Sequence, residues 1–145
     1  PVGSAPSGMV LYQPDPAGQP LVIGFVSTDA KLAAWFGPNV FAGTPFEKAP
    51  ALVGRISVAA QGDLATSRVE VAGHVFETTM KKLAAPELIH RAAGSPMPFA
   101  QQGLEAVPGE VELKVDGKVV AITVPKLGIG GGPSALFSAA GVYAR

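Results

Sequence analysis

Apolar positions fall in short runs separated by clusters of Pro, Gly, Asp and Ser, the rhythm of strands and turns rather than of long helices. Met9 to Gln13 opens the first run, and Pro14, Asp15, Pro16, Ala17, Gly18 and Pro20 follow as a dense turn signal. Leu21 to Val26 is apolar throughout and reads as a buried strand. Leu52 to Ala60 reads as a further strand. After the Gly62–Asp63 turn, Val69 and Val71 alternate with Arg68 and Glu70, and Ala72–Gly73 turns the chain into a strand from Val75 to Met80. The strongest hairpin signal joins Glu110–Val115 to Lys118–Val124 through Asp116–Gly117, a pair suited to a type I′ turn because both central residues need positive φ. Val71, Gly73, Val75 and Thr79 recur as Val115, Gly117, Val119 and Thr123, an echo that shared hairpin grammar explains more simply than duplication.

Helical spacing is confined to two places. Asp29 to Phe36 reads as a short helix with Ser27 or Thr28 as cap, Leu32, Trp35 and Phe36 on one face, and Gly37–Pro38 as its stop; a single turn or a twisted loop competes with that reading. Pro86 to Ala93 reads as a second short helix ended by Gly94. The segments Phe41 to Pro50 and Ser95 to Gly109 read as loop, and Gly128 to Pro133 as a flexible joint. The apolar end from Ala135 to Tyr143 is expected to dock. Pro1 to Gly8, with almost nothing to bury, reads as a mobile tail. The fold class that follows is mainly β with one or two short helices. It is expected as a compact β-barrel or β-sandwich-like domain over residues 9–145, with the flexible tail before it and a C-terminal β-hairpin extension. Residues 87–145 form a candidate second small β subdomain.

Composition narrows the chemistry. The chain has 145 residues, enough for a core without metals or disulfides. Its 11 basic and 11 acidic residues balance without clustering, which argues against a nucleic-acid-binding face or a polybasic membrane anchor. No apolar run approaches the ~20 residues of a membrane span. There is no cysteine, so thiolate catalysis, iron–sulfur sites and cysteine-ligated zinc are excluded. No signal-peptide pattern is visible at Pro1, which fits either a cleaved leader or a lost initiator methionine.

No catalytic constellation can be placed. His74 and His90 are the only histidines, and no Gly-x-Ser-x-Gly elbow surrounds a serine. Gly128 to Gly132 lacks both the Gly-Lys-Ser/Thr ending of a P-loop and the spacing of a dinucleotide fingerprint. His74, Met80, His90 and Met97 could ligate copper(I), but apolar gap-filling explains the methionines, Met9 included, equally well. Glu70, Glu77, Glu110 and Glu112 alternate with apolar residues as on solvated strand faces. Trp35, Phe36, Phe41 and Phe46 cluster in sequence, as a binding platform or, more simply, as core or subunit-interface packing. The residues therefore point to a structural or interaction protein without cofactor or metal, and not to an enzyme.

One resemblance sharpens this. An apolar strand from Pro20 and Leu21 leads to Ser27, Thr28 and Asp29, then to Lys31, Leu32, Ala34, Trp35 and Gly37. Val53–Gly54, Ile56, Val58, Ala59 and Ala60 follow, then Thr66, Val69, Val71, Gly73, Phe76, Glu77 and Pro86–Glu87. In this order the stretch from Pro20 to Glu87 resembles the lambdoid phage head decoration proteins. It departs from them in a longer segment between Gly37 and Val53 and in everything beyond Glu87. The resemblance implies a homotrimer on the virion surface, made in the host cytoplasm, that bridges subunits of the major capsid protein. The tail, Pro1, Val2, Gly3, Ser4, Ala5, Pro6, Ser7 and Gly8, also looks like the family's, and as an extended segment with free backbone groups it is expected to engage the capsid by adding to an exposed strand edge. The competing reading is a periplasmic or secreted β-rich module for a small molecule or polysaccharide.

Overall fold

A computed structural model describes residues 4–94, 100–127 and 132–144, with 139–144 described by their backbone. In chain order its elements are β1 (Ser7–Tyr12), β2 (Val22–Ser27), α1 (Ala30–Val40), β3 (Ala51–Val53), β4 (Arg55–Gln61) and β5 (Leu64–Val71), then β6 (His74–Leu83), β7 (Glu87–Arg91), β8 (Ala100–Ala106), β9 (Pro108–Val115), β10 (Lys118–Val120) and β11 (Phe137–Ala144). The chain is mainly β, as the alternation implied, and among the described residues it has one helix. Among the described residues the strands form three sheets, none closed, so the barrel form of the expectation does not hold. By contacts the chain divides into two units, residues 1–57 with 69–74 and residues 58–68 with 75–145. The division falls within β4 and β5 and not at residue 87.

The first unit is built on β2. Its residues are apolar on both faces because it is central, with β1 antiparallel on one side and β3 parallel on the other. Strand β1 begins at Ser7, two residues inside the segment read as tail. The reason is Ser27, a fully buried hydroxyl that donates to the Pro6 carbonyl at 3.2 Å and accepts from the Asp29 N–H at 3.0 Å, with the Ser7 hydroxyl 3.0 Å away. A buried hydroxyl left unpaired would be costly, and Pro6 and Ser7 satisfy it. Pro1, Val2 and Gly3 lie outside the described residues.

Helix α1 supplies the crossover between the parallel strands β2 and β3. Its cap is Asp29, whose carboxylate accepts from the N–H groups of Lys31 at 2.8 Å and Leu32 at 3.3 Å, and not Ser27 or Thr28. The helix runs through Gly37–Pro38 instead of stopping there. Gly37 is buried against the Glu47 carbonyl, which a Cβ would strike, so packing explains this glycine. Pro38 stands inside the helix and has no N–H to offer the Ala34 carbonyl. The Asn39 side-chain amide donates to the Trp35 carbonyl at 2.8 Å, and the Phe41 N–H closes the end on the Phe36 and Gly37 carbonyls at 3.2 Å each. Leu32, Ala33 and Val40 from the helix, Val22, Phe25 and Val26 from β2, and Val71 make the core. The Phe25 ring stacks on Phe36 at 6.0 Å and tilts against Phe41 at 4.9 Å.

The strand expected from Leu52 to Ala60 is two strands, broken at Gly54. The Gly54 N–H donates to the Ser27 carbonyl at 3.0 Å, and a Cβ there would lie 2.6 Å from the Glu70 carbonyl and 2.7 Å from Val26 Cγ1. Only glycine lets three backbone segments meet so closely.

The second unit holds a three-stranded sheet ordered β11-β8-β7 and most of a five-stranded sheet ordered β10-β9-β6-β5-β4. The hairpin read as a C-terminal extension, β9–β10, pairs through β9 with β6 and so belongs to that sheet. Residues 121–125 leave the strand, so Thr123 falls outside the echo of the earlier hairpin. Two further expectations fail in this unit. Pro86–Ala93 contributes strand β7 in place of a helix, because β8 pairs with it from Glu87↔Glu105 to Arg91↔Gln101. The stretch 95–109 contributes β8 and the start of β9 in place of loop. In both, long-range pairing overrides local propensity. Residues 95–99 and 128–131 lie outside the described residues. The apolar end docks as expected, as β11 on β8.

The hairpin turns follow the residue chemistry. Ala72 and Gly73 have φ of 51° and 79°, Asp116 and Gly117 of 52° and 77°, the type I′ signature at both. Asp116 also holds Val75: its carboxylate accepts from the Val75 N–H and its own N–H donates to the Val75 carbonyl, both at 2.8 Å. Ala72 is the strained residue of the four, since it carries a Cβ into the left-handed region without a polar side chain to bond locally as Asn or Asp can. Ala72→Asn should therefore raise stability by about 1 kcal/mol. An unchanged urea midpoint would contradict this.

Candidate assembly surface

Register fixes which side chains share a face. The two-residue turns at 62–63 and 72–73 make Gln61 face Leu64 and Val71 face His74, and Phe76 faces Val115 across β6 and β9. The Arg68–Glu77 ion pair, 2.8 Å, joins residues that this register sets opposite each other. Within the second unit one sheet face then carries Val58, Ala60, Ala65, Phe76, Met80, Val111, Leu113, Val115 and Val120. The other carries Arg68, Glu77, Lys81, Glu110, Glu112 and Lys114.

Burial does not match this division. Among the described residues, the apolar side chains buried in the second unit are Ala65, Ala106 and Val115. Nine large apolar residues of the same unit are exposed: Val58, Leu64, Leu88, Leu104, Val107, Val119, Ile122, Val124 and Leu127. Two alanines and a valine are a small core for a unit that starts at Val58, and burying one leucine is worth only about 1.5–3 kcal/mol. An open cleft of about 400 Å³ lies in this unit, lined by Val107, Pro108, Gly109, Val111, Val124, Pro125, Lys126, Pro133, Ser134 and Ala135.

Several charged groups of this unit are paired. Lys82 bonds Glu110 at the surface, which raises the lysine and lowers the carboxyl from their ordinary pKa values. Glu77 pairs with Arg68, and Glu112 lies 3.8 Å from Lys114. Glu70 contributes its carbonyl to the close approach at Gly54. The unexpected pair is Arg91–Glu105. Two guanidinium nitrogens bond the two carboxylate oxygens at 2.6 and 2.7 Å, and Arg91 also reaches Gln101 at 3.2 Å. Glu105 is buried, and the Arg91 hydrogen bonds hold its carboxyl below the ordinary value against the opposing effect of burial. In register Arg91 stands opposite Gln101, four residues from Glu105, and the buried Gly103 between them gives the long side chain a lane along the strand. Sequence reasoning missed this pair because one partner was placed on a helix and the other in a loop.

The remaining candidates stay apart. His74 packs edge-on against Tyr12, ring centroids 5.6 Å apart, and His90 is exposed on β7 opposite Gln102. Met80 lies on the apolar sheet face, and Met97 is outside the described residues. Among the described residues no group of three or more His, Cys, Asp or Glu side chains could hold a metal, and no helix is long and apolar enough to cross a membrane. Phe36, Phe41 and Phe46 form a chain of ring contacts with Phe25, and Trp35 meets Phe36 edge-on at 5.8 Å. None of the four is exposed, which is packing rather than an open platform. No family model matches the chain, and no curated protein or solved structure does so either.

Proposed function

We propose that this chain is a structural protein of a phage particle, a decoration protein that binds the outside of the head and bridges neighbouring major capsid subunits. The observation that carries the reading is the second unit, whose nine exposed large apolar residues stand against three small or medium buried ones. A fold of that kind is completed by a surface it is pressed against. The order of pieces from Pro20 to Glu87 names the class of surface, and the homotrimer that this resemblance implies is part of the proposal.

The N-terminal segment is assigned to capsid contact, in narrower form than the sequence suggested. Pro6, Ser7 and Gly8 serve Ser27 and β1, so the assignment is confined to residues 1–5. An extended segment can add to an exposed strand edge on the capsid through main-chain hydrogen bonds. Purified heads of the phage that carries the gene, stripped of the native protein, should co-sediment with the full chain. Deleting residues 1–5 should weaken that binding about tenfold, or about 1.4 kcal/mol, with an unchanged circular dichroism spectrum. Absence of binding by the full chain would remove the capsid reading; equal binding by both forms would remove only the tail. The cleft of about 400 Å³ supports a second reading, a binding module, because its volume suits a small ligand. A polysaccharide or small molecule that saturates the protein while heads do not bind would favour that reading.

A further inference from the structure

The alternation that reads as one strand from Lys118 to Val124 outlasts the strand itself, which ends at Val120. The two-residue turn at 116–117 makes Val115 and Lys118 a hydrogen-bonded pair, so Val115, Leu113, Val111 and Gly109 direct their N–H and C=O groups toward the β10 side. Glu112 and Glu110 direct theirs into β6. Strand β10 reaches only as far as Leu113. Val111 and Gly109 therefore present backbone groups where β10 would continue, and among the described residues no hydrogen bond from outside the ladders reaches them. Both line the cleft of about 400 Å³.

The segment that leaves the ladder lines the same cleft through Val124 and Pro125. Residues 121–124 are all exposed and, among the described residues, make no hydrogen bond. Beyond them the Ser134 hydroxyl donates to the Pro125 carbonyl, and Leu127 bridges to Pro133. The segment is thus anchored at both ends and unattached between them. Continuing the hairpin register sets Ile122 opposite Val111 and Val124 opposite Gly109. Ile122 then joins Val120, Val111 and Met80 on the apolar sheet face, while Ala121 and Thr123 fall on the charged face opposite Glu112 and Glu110. Apolar and polar positions all land on the face that suits them, and a slip of one residue would reverse every one.

We propose that residues 121–124 are a strap that zips onto β9 in this register and closes the cleft, the open and closed hairpins being two states of one element. Closing lets Val111 and Gly109 exchange hydrogen bonds with Ile122 and Val124, which satisfies backbone groups on both sides. A guest in the cleft competes with the strap for the same strand edge. The strap rests on neither the capsid reading nor the ligand reading, and its tests use no ligand.

Glu110 and Thr123 face each other at a non-hydrogen-bonded site of the closed hairpin, where Cα atoms stand about 4.5 Å apart, within disulfide range. The chain has no cysteine, so an introduced pair reports cleanly. Under mild oxidation, Glu110→Cys with Thr123→Cys should form an intramolecular disulfide about tenfold faster than Glu112→Cys with Thr123→Cys, whose partners are two residues out of register. Free-thiol counting on the monomer reads both rates. Equal rates would mark a loose segment without register and overturn the proposal, as would a folded matched pair whose thiols stay free. The second measurement needs no cysteine. Ile122→Pro removes the N–H that closes on the Val111 carbonyl and touches no bond of the open form. By NMR the Val111 and Gly109 amide protons should exchange about tenfold faster in this variant than in the wild type, with the Leu113 amide unchanged. Identical exchange at Val111 and Gly109 would equally sink the idea.

Discussion

Phe25→Ala is expected to lose about 3–5 kcal/mol of stability, the range for truncating a buried phenylalanine. Phe25 is 2% exposed at the centre of β2, and its N–H is bound to the Pro50 carbonyl at 2.8 Å. Its ring is held by Phe36 and Phe41, and at Gly37 an added Cβ would come within 3.5 Å of it. These neighbours cannot collapse into the space left behind. The helix is fixed at one end by the Asp29 cap, and Gly37 rests on a backbone carbonyl. Phe25→Leu, which keeps most of the volume, should cost under about 1.5 kcal/mol. Trp35 is the only tryptophan and sits on α1 beside Phe36, so urea unfolding followed by its fluorescence reads this unit directly. A loss below about 1 kcal/mol for Phe25→Ala would mean that the aromatic cluster is not the core of the first unit.

What was legible in the sequence was local. The Asp116–Gly117 turn is readable because positive φ at two successive residues admits few side chains, and Ala72–Gly73 through its glycine between alternating runs; the structure has both. The strand from Leu21 to Val26 is readable because a central strand is apolar on both faces. What failed depended on distant partners. Gly37 looks like a helix stop until Glu47 is beside it, and Gly54 looks like strand interior until Glu70 and Val26 close on it. Glu87–Arg91 carries helical spacing, yet β8 pairs with every residue of it. Of the candidate surface, the alternation that makes a polar and an apolar sheet face was visible. Its incomplete burial was not, since exposure is a property of the whole fold.

The Arg91–Glu105 pair yields the second large effect, and its pH dependence separates the two partners. Arg91→Ala leaves a buried carboxylate without its donors and should cost about 2–3 kcal/mol at pH 7. That is below the 3–5 kcal/mol of a fully buried pair because the Arg91 side chain is 39% exposed. Glu105→Gln leaves a guanidinium that water reaches, and should cost about 1–2 kcal/mol. In the wild type the folded carboxyl lies below its ordinary 4.5, so the folded state binds fewer protons than the unfolded state between those values. Its stabilisation is therefore complete above the ordinary value and is lost as pH falls through the lowered one. In Arg91→Ala the hydrogen bonds that lower the carboxyl are gone and burial remains, which pushes it upward. The variant is then most destabilised at neutral pH, and its deficit narrows as acid protonates Glu105. Surface Glu110, also lowered, titrates alike in all three proteins and cancels from the differences. Urea titrations at pH 7, 5 and 4 should give a difference between wild type and Arg91→Ala that shrinks steadily with acid. A difference constant across that range would show that Arg91 acts by packing its stem over Gly103 rather than by holding the Glu105 charge.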